Sequence, residues 1–314
     1  MLRIAILDDY QSVALQMADW SLLGSDVEIV SFDRHLSEGE ARETLQSFDV
    51  LCIMRERMAL PRGLIEALPG LKLIAVTGSH TQVIDTKAAQ ELGIPVTLTA
   101  PRASHSAAEL TWALVLSLAR NITIEDRNMR KGRWQSRVGF RLEGRTLGLM
   151  GLGTLGARVA RYGQAFDMRV VAWSPNLDPQ KARDLGVEPV SKEELLKQSD
   201  VVSIHLKLGD RSRGLIGAPQ LALMKKTAVL VNTSRAPIID QAALAHALQM
   251  GTIAGAALDV FDPEPLPPEH PIRHLPNTVL TPHIGFVTEE SYREFFKGIV
   301  ESIRTWRDAQ GSAT

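Results

Sequence analysis

The stretch Leu147-Gly-Leu-Met-Gly-Leu-Gly-Thr-Leu-Gly156 decides the fold. An apolar run leads into Gly151, Gly153 and Gly156, spaced G-x-G-x-x-G, and Ala157–Phe166 behind it reads as a helix. Strand, glycine turn and helix in this order suit a dinucleotide for physical reasons. The first glycine makes the tight turn out of the strand. The second, lacking Cβ, lets a pyrophosphate approach the backbone, and the third lets helix and strand pack closely. The helix N-terminus offers unpaired N–H groups and about half a positive charge to the phosphates. Gly151, Gly153, Thr154, Leu155 and Gly156 are the expected cradle. The motif names a class of cofactor and no reaction, and an ordinary glycine-rich turn shares its spacing.

The chain has 314 residues, enough for two domains, because a single core rarely grows beyond ~250–300 residues. Its 45% hydrophobic and 23% charged content is ordinary for a soluble globular protein. With a formal net charge of −1 and no concentrated basic face, nucleic acid is not an expected partner. The single Cys52 sits in the apolar run Val50–Met54, where a buried strand residue is expected rather than a thiol nucleophile. It excludes an internal disulfide and a cysteine-only zinc cluster, and the expected site residues include no metal ligands. No apolar run reaches the ~20 residues a bilayer span needs, and the N-terminal apolar stretch is too short for a signal peptide. A cytoplasmic enzyme is expected.

Apolar strand candidates at 2–7, 27–30, 50–54, 71–76 and 95–98 alternate with helical patterns such as 39–46 and 62–68. That alternation implies a parallel sheet covered on both faces. The apolar helix 104–120, capped by Ser104 or Ser106, is expected to be buried on nearly every side. The polar, basic segment 121–143 is expected to be an arm reaching a second subunit or a solvated loop. Beyond the glycine motif the alternation resumes, with strands at 169–173, 201–206, 228–232, 253–260 and 277–281. Ser191 and Glu194 form a capping box, and a long helix spans 288–308. The expected class is α/β, with two Rossmann-like or flavodoxin-like domains built on parallel sheets. Residues 1–102 and 288–314 would form a substrate domain, interrupted by a dinucleotide-binding domain at 103–287 that carries the arm near 121–143.

Ligands of open α/β sheets sit outside the carboxyl ends of the strands. Arg235, Asp259 and His283 lie at or just beyond such ends, and Glu264 follows Asp259 by five residues. Each alone is more often structural, as a loop ion pair, a cap or a solvated charge. Four together, downstream of a nucleotide motif, point to chemistry.

Gly151-Leu-Gly-Thr-Leu-Gly156, Val231-Asn-Thr-Ser-Arg-Ala-Pro-Ile-Ile-Asp240, Ala257-Leu-Asp-Val-Phe-Asp-Pro-Glu-Pro265 and Leu280-Thr-Pro-His-Ile-Gly285 resemble the D-2-hydroxyacid dehydrogenase family, which includes phosphoglycerate, glyoxylate/hydroxypyruvate and D-lactate dehydrogenases. The likeness runs from about Leu71 to Gly285, with four motifs in order. It implies NAD(P)-dependent hydride transfer to or from C2 of a small 2-hydroxy or 2-keto acid. Arg235 would bind the substrate carboxylate. His283 would be the acid/base, and Glu264 would orient its imidazole and favour its charged form. Asp259 would hold the nicotinamide carboxamide with Thr233 and Ser234 nearby, and His205 would lie on the cofactor side. Thr77, Gly78 and Ser79, in Val76-Thr-Gly-Ser-His80, resemble a loop whose backbone N–H groups cradle the substrate carboxylate. Arg55 and Arg57 are further candidates on the substrate side, or surface pairs. A homodimer, paired through the arm near 121–143, is the expected assembly.

The chain departs from the pattern at five residues. Ser174, in Ala172-Trp-Ser-Pro-Asn176, stands where an acidic residue commonly binds the adenosine ribose, which opens the site to NADP although NAD is the expected cofactor. Lys207 replaces a frequent proline after His205-Leu206 and would favour NADP. Ser104 falls where asparagine is frequent, and His80 and His105 are unusual choices in substrate-side loops. Two alternatives stay open. One is a formate dehydrogenase-like enzyme, which lacks the acidic partner of the histidine. The other is a dinucleotide-sensing, corepressor-like binding protein on the same scaffold.

Overall fold

The structure is a computed structural model that describes residues 1–79, 81–99 and 105–311; His80 and Ser104 lie outside the described residues. The chain divides into two compact units. One comprises Met1–Arg102 and Val287–Thr314, the other Ala103–Phe286.

The first unit holds a five-stranded parallel sheet of β1 (Leu2–Ile6), β2 (Val27–Ser31), β3 (Val50–Ile53), β4 (Leu73–Val76) and β5 (Val96–Leu98), in the order β2-β1-β3-β4-β5. The second holds seven parallel strands: β6 (Thr146–Met150), β7 (Arg169–Trp173), β8 (Glu188–Pro189), β9 (Val201–Ile204), β10 (Val229–Asn232), β11 (Gly255–Leu258) and β12 (Thr278–Leu280). Their order is β12-β11-β10-β9-β6-β7-β8. Every residue of β3, β4, β6, β9, β10 and β11 is buried. This explains why these strands are nearly unbroken apolar runs without alternation, as parallel strands covered by helices require. The order reverses direction between β1 and β3 in one sheet and between β6 and β9 in the other. Such reversals open a crevice beyond the strands' carboxyl ends.

The helix Glu289–Gly311 completes the first unit. Tyr292, Phe295, Phe296, Ile299, Val300 and Ile303 are buried at helical spacing. Phe296 packs on Trp20 with centroids 6.2 Å apart, and the Tyr292 hydroxyl donates to Gln11 Oε1 at 3.1 Å.

Local rules account for many element boundaries. The capping box expected at Ser191 and Glu194 forms, and Ser37 with Glu40 makes another ahead of the helix Glu38–Thr44. Two expectations change. The helix His105–Arg120 buries a stripe rather than its whole circumference. Ala108, Thr111, Trp112, Leu114, Val115 and Ala119 are buried while Glu109 and Ala113 are exposed. Segment 121–143 is not wholly irregular, because its first part forms the helix Ile122–Arg130 before an extended stretch. That helix buries none of its residues, so no apolar period announces it. The helices Ala14–Met17, Thr86–Glu91 and Ala218–Leu223 are too short to show a period. Among the described residues, no helix is long and apolar enough to cross a membrane.

Candidate active site

The glycine loop joins β6 to the helix Thr154–Ala165. Gly151 takes φ +106, and a Cβ there would lie 2.6 Å from the carbonyl oxygen of His205. A Cβ on Gly156 would lie 2.1 Å from the carbonyl oxygen of Gly151, so loop and helix touch backbone to backbone. At Gly153 a Cβ would meet nothing within 4 Å. Two glycines thus serve packing and the third opens space outward. Gly153 is the N-cap and supplies no side-chain cap, and the first intrahelical bond arrives only at Ala157 N–H. The first-turn N–H groups of Thr154, Leu155 and Gly156 therefore have no helical acceptor. An uncapped helix start facing open space is what a pyrophosphate needs, and these residues fit a dinucleotide.

His205 follows β9 across the β6/β9 reversal. Its Nε2 lies 2.9 Å from Ser203 Oγ, and its Nδ1 is buried with no hydrogen-bond partner among the described residues. Burial pushes the imidazole down to about 4, so it is neutral near pH 7. Ser174 directly follows β7 and places no carboxylate there. One contact near it was not legible from spacing: Arg211 Nη1 donates to Asn176 Oδ1 at 3.5 Å. The loop bearing Arg211 is pinned by Ser212, whose hydroxyl donates to Lys207 O at 2.7 Å and accepts from Gly209 N–H at 3.0 Å.

Three neighbouring strand ends carry the side chains singled out from the sequence. At the end of β10, the buried Asn232 amide donates to Arg235 O and accepts from Ser234 N–H, both at 3.0 Å. This local turn sets the backbone from which Arg235 projects. The Arg235 guanidinium donates to Ser234 O at 2.8 Å, Ser234 Oγ donates to Leu206 O, and Thr233 Oγ1 meets Thr111 Oγ1 at 2.8 Å. Asp259 ends β11, fully buried. Its Oδ1 accepts from Thr281 Oγ1 at 2.6 Å and Ile284 N–H at 2.8 Å, and its Oδ2 from Gly285 N–H at 2.9 Å. Burial raises this carboxyl above the usual range, against the pull of its three donors and of His283. His283 follows β12 with φ 53, and its Nδ1 lies 2.6 Å from Glu264 Oε2. Glu264 is held in turn by Phe261 N–H, which donates to Oε1 at 2.8 Å. The Glu264 and His283 side chains are 27% and 18% exposed, sheltered yet reachable. A carboxylate on one imidazole nitrogen orients the ring and leaves Nε2 to exchange a proton.

The first-unit loop is used differently from the expectation. Thr77 is buried, and its Oγ1 accepts from Arg55 N–H at 2.9 Å. The N–H of Thr77 goes to Ile53 O at 2.9 Å, and that of Gly78, at φ +93, to Thr99 Oγ1 at 2.8 Å. Two of the three amides expected to cradle a carboxylate are thus engaged within the unit. Ser79 is exposed, and the Arg55 guanidinium lies beside Gly78, 3.4 Å from where a Cβ would stand.

The family model described as D-isomer specific 2-hydroxyacid dehydrogenase, NAD binding domain, matches residues 112–285. The chain is 44% identical over 237 residues to a glyoxylate reductase of Aeropyrum pernix, covering 73% of this chain and 71% of that protein. It is 36% identical over 307 residues to a hydroxypyruvate reductase of Thermotoga maritima, covering 96% of this chain and 97% of that one. A crystal structure of a phosphoglycerate oxidoreductase from Vibrio cholerae superposes with a TM-score of 0.93 at 34% identity, covering 98% of this chain and 100% of its own.

A neutral, buried His205 has a consequence for stability. Its imidazole is depressed from 6.5 to about 4 in the folded state, so the unfolded chain takes up the proton first as pH falls. Stability is lost between those two values and recovered as pH rises. In urea unfolding at pH 4.5 and 7.0, His205→Asn is expected to shrink the stability difference between the two conditions; an unchanged difference counts against this origin.

Proposed function

The chain belongs to the D-isomer specific 2-hydroxyacid dehydrogenase family, and from that membership we propose how its own residues run the reaction. It is an NAD-dependent oxidoreductase, and the proposed substrate is a small D-2-hydroxy or 2-keto acid handled in the cytoplasm. Glyoxylate and hydroxypyruvate lead, in line with the relatives of those names. When bound, the nicotinamide gives hydride to the keto carbon or takes it from the hydroxyl carbon. Arg235 holds the substrate carboxylate, for which a planar guanidinium offers two parallel N–H donors. His283 gives a proton from Nε2 to the carbonyl oxygen in reduction and recovers it in oxidation. Glu264 accepts from Nδ1, fixes the ring and stabilises the positive imidazolium.

The observation that carries this reading is the 2.6 Å contact between His283 and Glu264 beyond β12. The same contact separates it from a formate dehydrogenase-like enzyme, in which that carboxylate is missing. No contact in the site favours the corepressor-like alternative.

A second reading concerns the cofactor's adenosine end. Ser174 offers no carboxylate to repel a 2′-phosphate, and Arg211 reaches Asn176 two residues beyond it. We propose that NADPH is accepted alongside NADH, with Arg211 meeting the 2′-phosphate. The arm near 121–143 is proposed to pair two copies of the chain. Trp134 is 75% exposed and Val138 99% exposed, costly apolar surface for a lone subunit.

His283→Ala is expected to lower kcat by about 10²–10⁴-fold with NADH affinity nearly unchanged, as loss of a general acid does. Steady-state kinetics and NADH fluorescence titration check this, and equal loss of both would sink the acid–base role. Arg235→Lys is expected to raise KM for the keto acid by roughly tenfold or more through loss of the bidentate fork, read in a screen of glyoxylate, hydroxypyruvate, pyruvate and longer 2-keto acids. For the adenosine end, Arg211→Glu is expected to cut the NADPH-to-NADH ratio of kcat/KM by about tenfold; an unmoved ratio removes Arg211 from recognition. Sedimentation at micromolar concentration is expected to find a dimer that Val138→Asp converts to monomer, and a monomeric parent protein refutes the arm's role.

A further inference from the structure

The left-handed backbone at His283 needs support. A residue with a Cβ sits at φ 53 at a cost and persists only where its surroundings hold it. Beyond β12 the ladder to β11 runs one residue further, Thr281 N–H donating to Leu258 O at 2.9 Å, and among the described residues it stops short of His283. Glu264 and Phe286 contact the ring, and the turn that carries it is held by Asp259, whose carboxylate lies at the end of the neighbouring β11 and is fully buried. All three of the hydrogen bonds it accepts come from 281–285. Thr281 Oγ1 and Ile284 N–H reach Oδ1 at 2.6 and 2.8 Å, and Gly285 N–H reaches Oδ2 at 2.9 Å. The donors stand two residues before His283 and one and two residues after it. His283 N–H closes the turn on Thr281 O at 3.0 Å. Gly285 belongs to the fit, because a Cβ there would lie 3.1 Å from Asp259 Oδ2.

We propose that Asp259 is a positioning residue for His283: its carboxylate clamps 281–285 from both sides and so aims the imidazole at Glu264. This rests on the reading of His283 as proton donor and gives Asp259 a task besides the nicotinamide carboxamide. An ionised carboxylate suits the task because it is acceptor-only, with about four lone-pair sites, of which three are used here. Two of its donors are main-chain amides that no substitution of side chains removes. An asparagine has the same shape, but its NH₂ would have to face an N–H or O–H donor on one side or the other. The clamp therefore distinguishes aspartate from asparagine by hydrogen-bond polarity alone.

Two variants and two readouts separate the tasks. NADH affinity is read by fluorescence titration, and the His283 ring by its imidazole ¹⁵N–¹H signals in cofactor-free protein, assigned by their loss in His283→Ala. Asp259→Asn is expected to shift and broaden the His283 signals and to lower kcat roughly 10- to 100-fold at saturating NADH, the range for one hydrogen bond to a charged group. Thr281→Val, which removes one donor and leaves the carboxylate, is expected to do the same to a smaller degree, with NADH affinity retained. Where Asp259→Asn does not fold, Thr281→Val decides. Unmoved His283 signals in the folded variants, with the loss confined to NADH affinity, overturn the clamp. The imidazole spectrum needs no turnover, so an active His283→Ala would refute the proton-donor reading while leaving the clamp to be judged on the spectrum.

Discussion

Strands β6, β9, β10, β11 and β12 run parallel, so the chain leaves each of them at the same edge of one sheet. This constraint delivers the glycine loop, His205, Arg235, Asp259 and His283 to one edge although they span more than a hundred residues of sequence. A parallel sheet cannot be joined by tight hairpins and needs crossovers that return behind it. The crossovers fill both faces with apolar contacts and leave only the strand ends in reach of water. Polar chemistry therefore accumulates at that edge, and the strands themselves carry almost none.

The edge is organised by two carboxylates in unlike surroundings. Asp259 is fully buried, where an ionised group is tolerated only if donors surround it, and it has three. Glu264 is partly exposed and meets one main-chain amide and one imidazole. Exchanging the two would fail on both counts. A partly hydrated carboxylate makes a poor clamp for a strained turn, and one saturated by main-chain donors has less capacity to answer a change of charge on an imidazole. Burial thus divides the labour between two residues of the same chemistry, five apart in the chain.

The parts legible from sequence are those whose evidence is local. G-x-G-x-x-G names its own turn because Gly151, Gly153 and Gly156 are read from one short window, and their different duties follow from the strand before and the helix after. Arg235 and His283 were legible because an apolar run stops just ahead of each. The parts not legible there depend on partners far along the chain. Gly78 was expected to offer its amide outward, yet Thr99, twenty-one residues away and just beyond β5, takes it. Arg211 and Asn176 meet across thirty-five residues because β9 and β7 flank β6, a fact of strand order that no spacing contains. The bonds of Asp259 to 284 and 285, which its expected place at the nicotinamide does not announce, emerge only when β11 and β12 lie side by side.

These differences in burial separate what the site can vary from what it must keep. Asn176 and Arg211 are exposed side chains on loops, and exchanging them disturbs no core. Asp259, Asn232 and the packed backbone at Gly151 and Gly156 are buried, and each is tied to a second strand end or loop, so a change at one displaces another. The exposed loops beyond β7 and β9 are thus free to drift while the geometry around His283 stays locked. The arrangement explains how a scaffold matched along nearly its whole length by a hydroxypyruvate reductase carries a serine where a ribose-binding acid is common. The loop that tolerates that serine bears no weight of the sheet.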